Sequence, residues 1–213
     1  MLSKKQMEKT DKRTDIIAAA EKLFCEFGYE GTSTRQIAKE SGANMAMINY
    51  YFGSKEGVLL EIMESRISGF KSQLNAIDEE KISPKEKMLK VVEQYSARIF
   101  LNISFHKLMH RELSLTQRPE IFLKIKEAMA QNLTVIESII QKGITEKIFR
   151  QVDIRMTIIS IMGTINMVAT SPNKVVPDQN FDMNNKKDKE ALRDRLVRYL
   201  QDLILTHLTI PQK

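Results

Sequence analysis

Apolar side chains recur at intervals of three and four residues along most of the chain, and this spacing limits the fold more than any other feature. The first such segment contains Ile16, Leu23 and Phe27, and a later one runs from Ser54 to Ile77. This period places apolar residues along one face of an α-helix. No segment shows the alternation of a half-buried strand. The sequence therefore predicts an all-α protein of about nine helices.

Glycine and proline divide the chain into two parts. Six of the eight glycines lie between Gly28 and Gly69, and all five prolines lie at or after Pro84. Because glycine permits tight turns and proline favours helix starts, we expect short elements first and longer helices later. We predict a first domain over residues 10–70 and a second over 71–213, since 213 residues are enough for two modest cores.

Composition excludes several classes of protein. A single thiol, Cys25, cannot form a disulfide scaffold or a zinc cage, and its apolar neighbours favour a core residue over a redox sensor. The polar first residues predict neither a signal peptide nor a membrane anchor, so we expect a cytoplasmic protein. The net charge of +6 is a weak indicator, because residues 1–55 carry nine Lys or Arg against seven Asp or Glu.

No motif of catalysis is evident. The sequence contains no Gly-rich phosphate loop, no nucleophile motif and no HExxH segment, so we predict neither an enzyme nor a cofactor. His106 and His110 are four residues apart and share a predicted helix face, as two metal ligands would. No third ligand accompanies them, and we predict no metal site.

A short segment near the amino terminus has the pattern of a helix-turn-helix. Ser33 stands three residues before Gln36, which is a capping box, and Ser41-Gly42-Ala43-Asn44 forms a tight turn. Asn44 is suited to cap a further helix over Met45–Phe52. Two short helices joined by a Gly-containing turn are typical of the DNA-binding helix-turn-helix, here over residues of about 33–52.

The residues around this segment resemble a known family. The stretch IIAAAEKLFCEFGYEGTSTRQIAKESGANMAMINYYFGSKEGVLLEIM contains A-x-x-L-F-x-x-x-G-Y-x-x-T-S, I-A-x-x-x-G and Y-x-F-x-x-K-E at fixed spacing. Residues 12–62 thereby resemble the DNA-binding domain of the TetR family of bacterial transcriptional regulators. The resemblance covers about a quarter of the chain, and the remainder matches only in length and helical character.

The resemblance implies which residues contact DNA. It implies base-edge contacts from Arg35, Met45, Ala46, Met47 and Asn49, and phosphate contacts from Thr34, Tyr50, Tyr51 and Lys55. The family usually has Tyr at the position of Asn49, and Ser, Thr or Gln at those of Met45 and Met47. Base reading is therefore expected to rely on thymine methyl groups, Asn49 and Arg35. The basic segment Lys4–Arg13 either reaches a minor groove or forms a solvated tail.

The resemblance also implies an effector pocket in the second domain. Large apolar residues are the candidates for its lining, and the effector is expected to be a small apolar or amphipathic molecule. The candidates are Phe70, Phe100, Phe105, Met109, Met129 and Met162. The same side chains are equally suited to an ordinary core.

Two later helices predict self-association. The helix over Asp153–Ala169 is apolar almost all round, and a helix of that kind must be covered on every side. We expect it to pair, together with the last helix, against a second copy, as family members do. The residues predicted at this interface are Ile158, Ile161, Ile165, Leu196, Leu200 and Leu203.

These observations predict a ligand-responsive homodimeric repressor that binds a palindromic operator in double-stranded DNA. The two-fold symmetry of a dimer requires an inverted repeat, with half-sites spaced by about one helical turn. One alternative is an architectural or division-control DNA-binding protein of the same fold without an effector. The other is a helical enzyme or a carrier of apolar ligands.

Overall fold

The computed structural model describes residues 4–115, 118–177 and 180–210, with side chains from Lys12 onward. Over these residues the chain forms nine α-helices and a short 3-10 helix at Pro172–Lys174. The α-helices are α1 Lys4–Phe27, α2 Thr34–Ser41, α3 Met45–Phe52, α4 Lys55–Glu79, α5 Pro84–Leu101, α6 Ile103–Ser114, α7 Pro119–Thr145, α8 Ile154–Thr170 and α9 Lys186–His207. The all-α prediction is confirmed.

Two compact units divide the chain. The first contains residues up to Gly69 together with Lys107–Ala128, and the second contains Phe70–His106 together with residues from Met129 onward. The sequence predicts a boundary between residues 70 and 71, and the first segment of the first unit ends at Gly69. The sequence predicts Lys107–Ala128 in the second domain, whereas this segment packs with the first. Helices α4, α6 and α7 therefore each contribute residues to both units.

The first unit is built around the apolar faces of its short helices. Ile16 and Phe24 of α1, Ile37 of α2, Ile48 of α3 and Leu59 of α4 are all fully buried. Fully burying side chains of this size contributes about 1.5–3 kcal/mol each. Small or apolar side chains at Ile37, Ala38, Ile48 and Phe52 are expected to face inward and set the angle between α2 and α3. The first three are buried, and Phe52 is half-buried.

The second unit has a larger core, in which α5 packs against both α8 and α9. Val92 and Ile99 of α5, Ile165 of α8 and Leu200 of α9 are buried in it. A buried lysine joins α4 to α5, because Lys87 donates to the backbone carbonyl of Asp78 and to its Oδ1 atom at 3.2 Å.

The structure places most of the residues predicted at the dimer interface inside the core of their own unit. Residues Ile158, Ile161, Ile165, Leu196 and Leu200 are buried in the core of their own unit, and Leu203 is half-buried against it. The outer face of α8 instead exposes Met156, Ile159 and Met167, and α9 exposes Tyr199. Because α8 is apolar on both faces, periodicity alone does not distinguish its inner face from its outer one.

A close approach at the end of α7 requires a glycine. A Cβ atom added at Gly143 would stand 2.1 Å from Cδ2 of Phe149, which is itself buried. The carbonyl of Gly143 accepts from the backbone N–H groups of Ile148 and Phe149 at 2.9 Å. An isolated antiparallel bridge between Phe149 and Thr209 then joins this turn to the end of α9.

Replacing Gly143 by Ala is expected to lower the free energy of unfolding by about 1–3 kcal/mol, because the buried Phe149 ring must move to admit the methyl group. Urea unfolding followed by circular dichroism measures the change. Ser138→Ala, at an exposed position on the same helix, is the control and is expected to stay within about 0.5 kcal/mol of the parent protein. Equal stability of both variants would show that the Phe149 ring is free to shift.

Candidate nucleic-acid interface

Helices α2 and α3 are set by their caps and by the turn between them. The Ser33 hydroxyl accepts from the backbone N–H of Gln36 at 3.2 Å, and the Gln36 side chain accepts from the N–H of Ser33 at 2.8 Å. Gly42 ends α2 with φ 61°, a left-handed conformation that favours glycine. The Asn44 side chain then accepts from the N–H of Met47 at 2.9 Å and begins α3. The predicted caps are confirmed.

The outer surface of α3 presents apolar and aromatic side chains to solvent. Met45 is 45% exposed and Tyr50 is 72% exposed, with Ala46 and Asn49 also exposed. Large apolar groups in water are unfavourable, and such patches are typical of binding surfaces. These four residues form a continuous surface on a helix of suitable size for a DNA major groove.

The remaining predicted DNA contacts lie around this surface with different exposure. Arg35 is exposed in the first turn of α2, and Thr34 beside it is half-buried. Met47 and Tyr51 are half-buried, and the ring centroids of Tyr50 and Tyr51 are 5.2 Å apart in an edge-to-face contact. Arg35 is therefore placed to contact a partner at the start of α2, where the helix dipole also favours an anion.

The Lys55 side chain, predicted to contact a phosphate, is directed at backbone carbonyls of the protein. Its Nζ atom donates to the carbonyl of Tyr29 and to that of Thr32, both at 2.9 Å, and lies 4.0 Å from the centroid of the Tyr29 ring. The ammonium group is thus bound to the turn between α1 and α2. Two of the three ammonium donors are therefore directed at protein carbonyls, which favours a structural role of Lys55 over the predicted phosphate contact.

We therefore expect Lys55→Met to lower the free energy of unfolding by about 1–3 kcal/mol, since two carbonyls lose a charged donor. Operator affinity should fall alike for all sequences, through displacement of the turn. The slope of log K against log salt should not change, because no phosphate contact is lost. Thermal unfolding and salt-dependent gel shifts measure both quantities. A slope reduced by about 0.9 per subunit in a fully stable variant would instead identify Lys55 as a phosphate ligand.

The basic amino-terminal segment Lys4–Arg13, predicted as a minor-groove arm or a solvated tail, is part of helix α1. The backbone is helical from Lys4. Arg13 pairs with Glu61 of α4 at 2.7 Å, and its guanidinium carbon lies 5.5 Å from the centroid of the Phe52 ring, the last residue of α3. Arg13 therefore ties α1 to the end of α3 and to α4.

A charged cluster around Tyr29 has no counterpart in the predictions. Tyr29 is buried in the turn between α1 and α2, and burial followed by the charge of Glu56 raises its pKa to about 12. The guanidinium carbon of Arg118 lies 4.0 Å from the Tyr29 ring centroid. Arg118 also pairs with Glu112 at 2.5 Å and with Glu30 at 3.0 Å. The sequence does not reveal this cluster, because Tyr29 and Glu30 are almost 90 positions from Arg118 along the chain.

The residues predicted to line an effector pocket are buried or half-buried. Phe70, Phe100, Phe105 and Met109 are buried, and Met129 and Met162 are half-buried. Five of the six belong to the second unit, and Met109 belongs to the first. Phe70 and Phe100 are members of the second unit's core, with Met162 packed against it.

Polar groups interrupt this core close to two of those residues. The Asn166 side-chain NH₂ group donates to the Tyr95 hydroxyl at 2.8 Å and to the carbonyl of Met162 at 2.9 Å. The Tyr95 ring centroid is 5.0 Å from that of Phe70, and burial raises the pKa of Tyr95. Ser96 Oγ and Asn166 Oδ1 are buried atoms to which the described residues supply no hydrogen-bond partner. Such atoms retain the capacity to bind a polar group.

Three other properties bear on function: thiol reactivity, metal binding and membrane-spanning helices. Burial, followed by the charge of Glu21, raises the pKa of Cys25 to about 11, so the thiol stays protonated at neutral pH. The described residues hold no group of three or more His, Cys, Asp or Glu side chains placed to bind a metal. Within the same part of the chain, no helix is both long enough and apolar enough to span a membrane.

Comparison with known proteins assigns the chain to a family. Residues 16–62 match the family model described as bacterial regulatory proteins of the tetR family, and residues 63–194 match that of the YsiA-like protein C-terminal region. The fatty acid metabolism regulator protein of Bacillus subtilis strain 168 is 27% identical over 177 residues, which are 83% of this chain and 90% of that protein.

Two solved structures extend the similarity to the fold. FadR from Bacillus subtilis in complex with stearoyl-CoA has a TM-score of 0.67 and 26% identity, covering 87% of this chain and 97% of FadR. PfmR from Thermus thermophilus has a TM-score of 0.69 and 27% identity, covering 92% of this chain and 99% of PfmR. The exposed surface of α3, the capped α2–α3 pair and these matches lead to one conclusion: the chain belongs to the TetR family of bacterial DNA-binding transcriptional regulators.

Proposed function

We propose that this protein is a homodimeric repressor that binds a palindromic operator and is released from it by a long-chain acyl-CoA. The exposed surface of α3 is the observation that carries DNA binding, because Met45, Ala46, Asn49 and Tyr50 lie on a capped helix next to Arg35. The effector class is supported by the relatives, of which one is named for fatty acid metabolism and one was solved with stearoyl-CoA.

Base recognition is expected to combine apolar and polar contacts. Met45, Ala46 and Met47 suit the methyl group of thymine, and Asn49 suits the paired donor and acceptor of adenine. Arg35 is suited to the two acceptors of guanine in the major groove. Thr34, Tyr50 and Tyr51 are left as phosphate contacts, which position the protein without reading sequence.

Genomic capture tests the DNA-binding part of the proposal. Purified protein is incubated with sheared genomic DNA at physiological salt, and the retained fragments are sequenced. Dimeric binding predicts inverted repeats whose half-site centres are about 10 base pairs apart or a multiple of this spacing. Retained fragments indistinguishable from the input DNA would contradict sequence-specific binding.

Dimerisation through α8 and α9 is supported by their outer surface. Met156 is 64% exposed, Ile159 58% and Met167 48% on α8, with Tyr199 58% exposed on α9. The three α8 residues are spaced by three and eight positions, so they share one face of the helix. An apolar row of this length in water favours burial against a second copy of the same face.

The effector is proposed to enter the core of the second unit. A long acyl chain suits the apolar side chains of Phe70, Phe100 and Met162, whereas the polar end of such a ligand suits Ser96 Oγ and Asn166 Oδ1. Those two atoms are otherwise buried without a partner among the described residues, which is unfavourable by about 1–3 kcal/mol for each group. A ligand that supplies hydrogen bonds there removes this cost.

Thermal unfolding with stearoyl-CoA tests the effector class. A ligand at a hundredfold excess over its Kd stabilises the native state by about 2.7 kcal/mol, which corresponds to a Tm increase of roughly 5–10 °C. Coenzyme A alone, which lacks the acyl chain, is the matched control and is expected to shift Tm much less. An unchanged Tm with acyl chains from 12 to roughly 20 carbons would contradict an acyl-CoA effector.

A further inference from the structure

The connection between α6 and α7 carries an arginine that is bound on three sides within the first unit. The Arg118 side chain is only 11% exposed, and its guanidinium pairs with Glu112 at 2.5 Å and with Glu30 at 3.0 Å. It also lies 4.0 Å from the Tyr29 ring centroid, a favourable distance for a cation–π contact. Arg118 therefore joins the end of α6 to the turn that follows α1.

Tyr29 connects Arg118 to the start of α4. Lys55 donates to the carbonyls of Tyr29 and Thr32 and lies 4.0 Å from the same ring. Only Gly53 and Ser54 separate Lys55 from the last residue of α3. Tyr29 and Lys55 thus form a continuous series of contacts from Arg118 to the first residue of α4, three positions after the end of α3.

The two carboxylate partners of Arg118 differ in exposure to solvent. The Glu112 side chain is 5% exposed, whereas that of Glu30 is 62% exposed. A buried carboxylate is strongly destabilised when its cation is withdrawn, while an exposed one is solvated by water. Arg118 is therefore held mainly by Glu112.

The helices that hold Arg118 continue into the second unit. Glu112 lies in α6 and Arg118 directly precedes α7, and both helices contribute residues to both units. We propose that Arg118 is the positioning residue through which occupancy of the second unit reaches the helix-turn-helix, by holding or releasing Tyr29 and Lys55. The identity of the effector in this inference, a long-chain acyl-CoA, rests on the proposed function.

The test uses a variant in which the cluster is made neutral. Arg118→Met combined with Glu112→Gln removes both charges without leaving a buried carboxylate unpaired. Glu30→Gln is the matched control, because it removes only the exposed partner. The quantity compared is the ratio of operator Kd with and without saturating stearoyl-CoA. We expect this ratio to fall at least tenfold in the neutral pair, with the Kd for stearoyl-CoA within threefold of the parent value.

Further outcomes separate positioning from a structural role. Glu30→Gln is expected to keep the ratio within threefold of the parent value, and Arg118→Lys to keep an intermediate ratio, since lysine retains the charge but not the fork. If the neutral pair does not fold, the ratio of operator Kd values is compared between Arg118→Lys and Glu30→Gln instead. The proposal then requires a lower ratio in Arg118→Lys. A folded neutral pair that binds both ligands and keeps the parent ratio would overturn the proposal.

A second measurement is independent of the effector. Hydrogen exchange of the parent protein, with and without a captured operator fragment, is expected to slow at residues 111–115 and 118–122 when DNA binds. The neutral pair is expected to lose this protection while residues 45–52 keep theirs. Unchanged exchange at 111–115 and 118–122 in the parent protein would overturn the proposal even if stearoyl-CoA is an effector. Protection there without any response to stearoyl-CoA would instead reject only the acyl-CoA assignment.

Discussion

Replacing Ile159 and Met167 together by Glu is expected to convert the protein to a monomer and to weaken operator binding by about 10²–10⁴-fold. Both residues are about half exposed on the outer face of α8. In a dimer each glutamate would be buried against apolar groups without a partner, which is strongly unfavourable. A monomer binds one half-site only, and it loses the gain in affinity that two linked half-sites provide.

Analytical ultracentrifugation and gel shifts measure the two effects. Leu101→Glu is the matched control, because Leu101 is 82% exposed on a different helix, α5. This control is expected to remain dimeric and to bind the operator as the parent protein does. A dimeric Ile159→Glu/Met167→Glu variant would place the interface elsewhere.

Arg35→Ala is expected to weaken binding to the captured operator by about 2–6 kcal/mol per dimer, because each subunit loses a base contact of about 1–3 kcal/mol. Affinity for random DNA should fall far less, so sequence preference relaxes. The same gel shifts on operator and random fragments measure both.

Lys85→Ala is the control for the lost charge. Lys85 is exposed in the first turn of α5, in the second unit. Removing it changes the net charge equally and is expected to leave the operator preference intact. Equal losses in both variants would show that Arg35 acts only through the general charge of the protein.

Local signals in the sequence predicted the helices and their caps. The Ser33–Gln36 box, the Gly42 turn and the Asn44 cap depend on residues within four positions of one another, so their geometry follows from local chemistry. A second capping box, between Ser83 and Glu86 at the start of α5, depends on equally local contacts, although it was not predicted.

Contacts between distant residues were outside the reach of sequence reasoning. The carbonyls that accept from Lys55 belong to residues 23 and 26 positions away, and the pairing of Arg118 with Glu30 spans 88 positions. The inner and outer faces of α8 are both apolar, so only packing against α5 distinguishes Ile165 from Met167. The sequence therefore did not identify Met156, Ile159 and Met167 as the exposed apolar residues of α8.

Release of the captured operator by stearoyl-CoA tests the central claim most directly. The DNA fragment is bound by the dimer at physiological salt, and stearoyl-CoA, coenzyme A or free stearate is added in parallel. Because a ligand shifts an equilibrium only through its different affinity for the two states, the acyl-CoA must bind the low-affinity state more tightly. We predict that operator Kd rises at least about tenfold with stearoyl-CoA, which corresponds to 1.4 kcal/mol of coupling, and changes little with coenzyme A or stearate. An operator Kd that is the same with all three additions would contradict an acyl-CoA-responsive repressor.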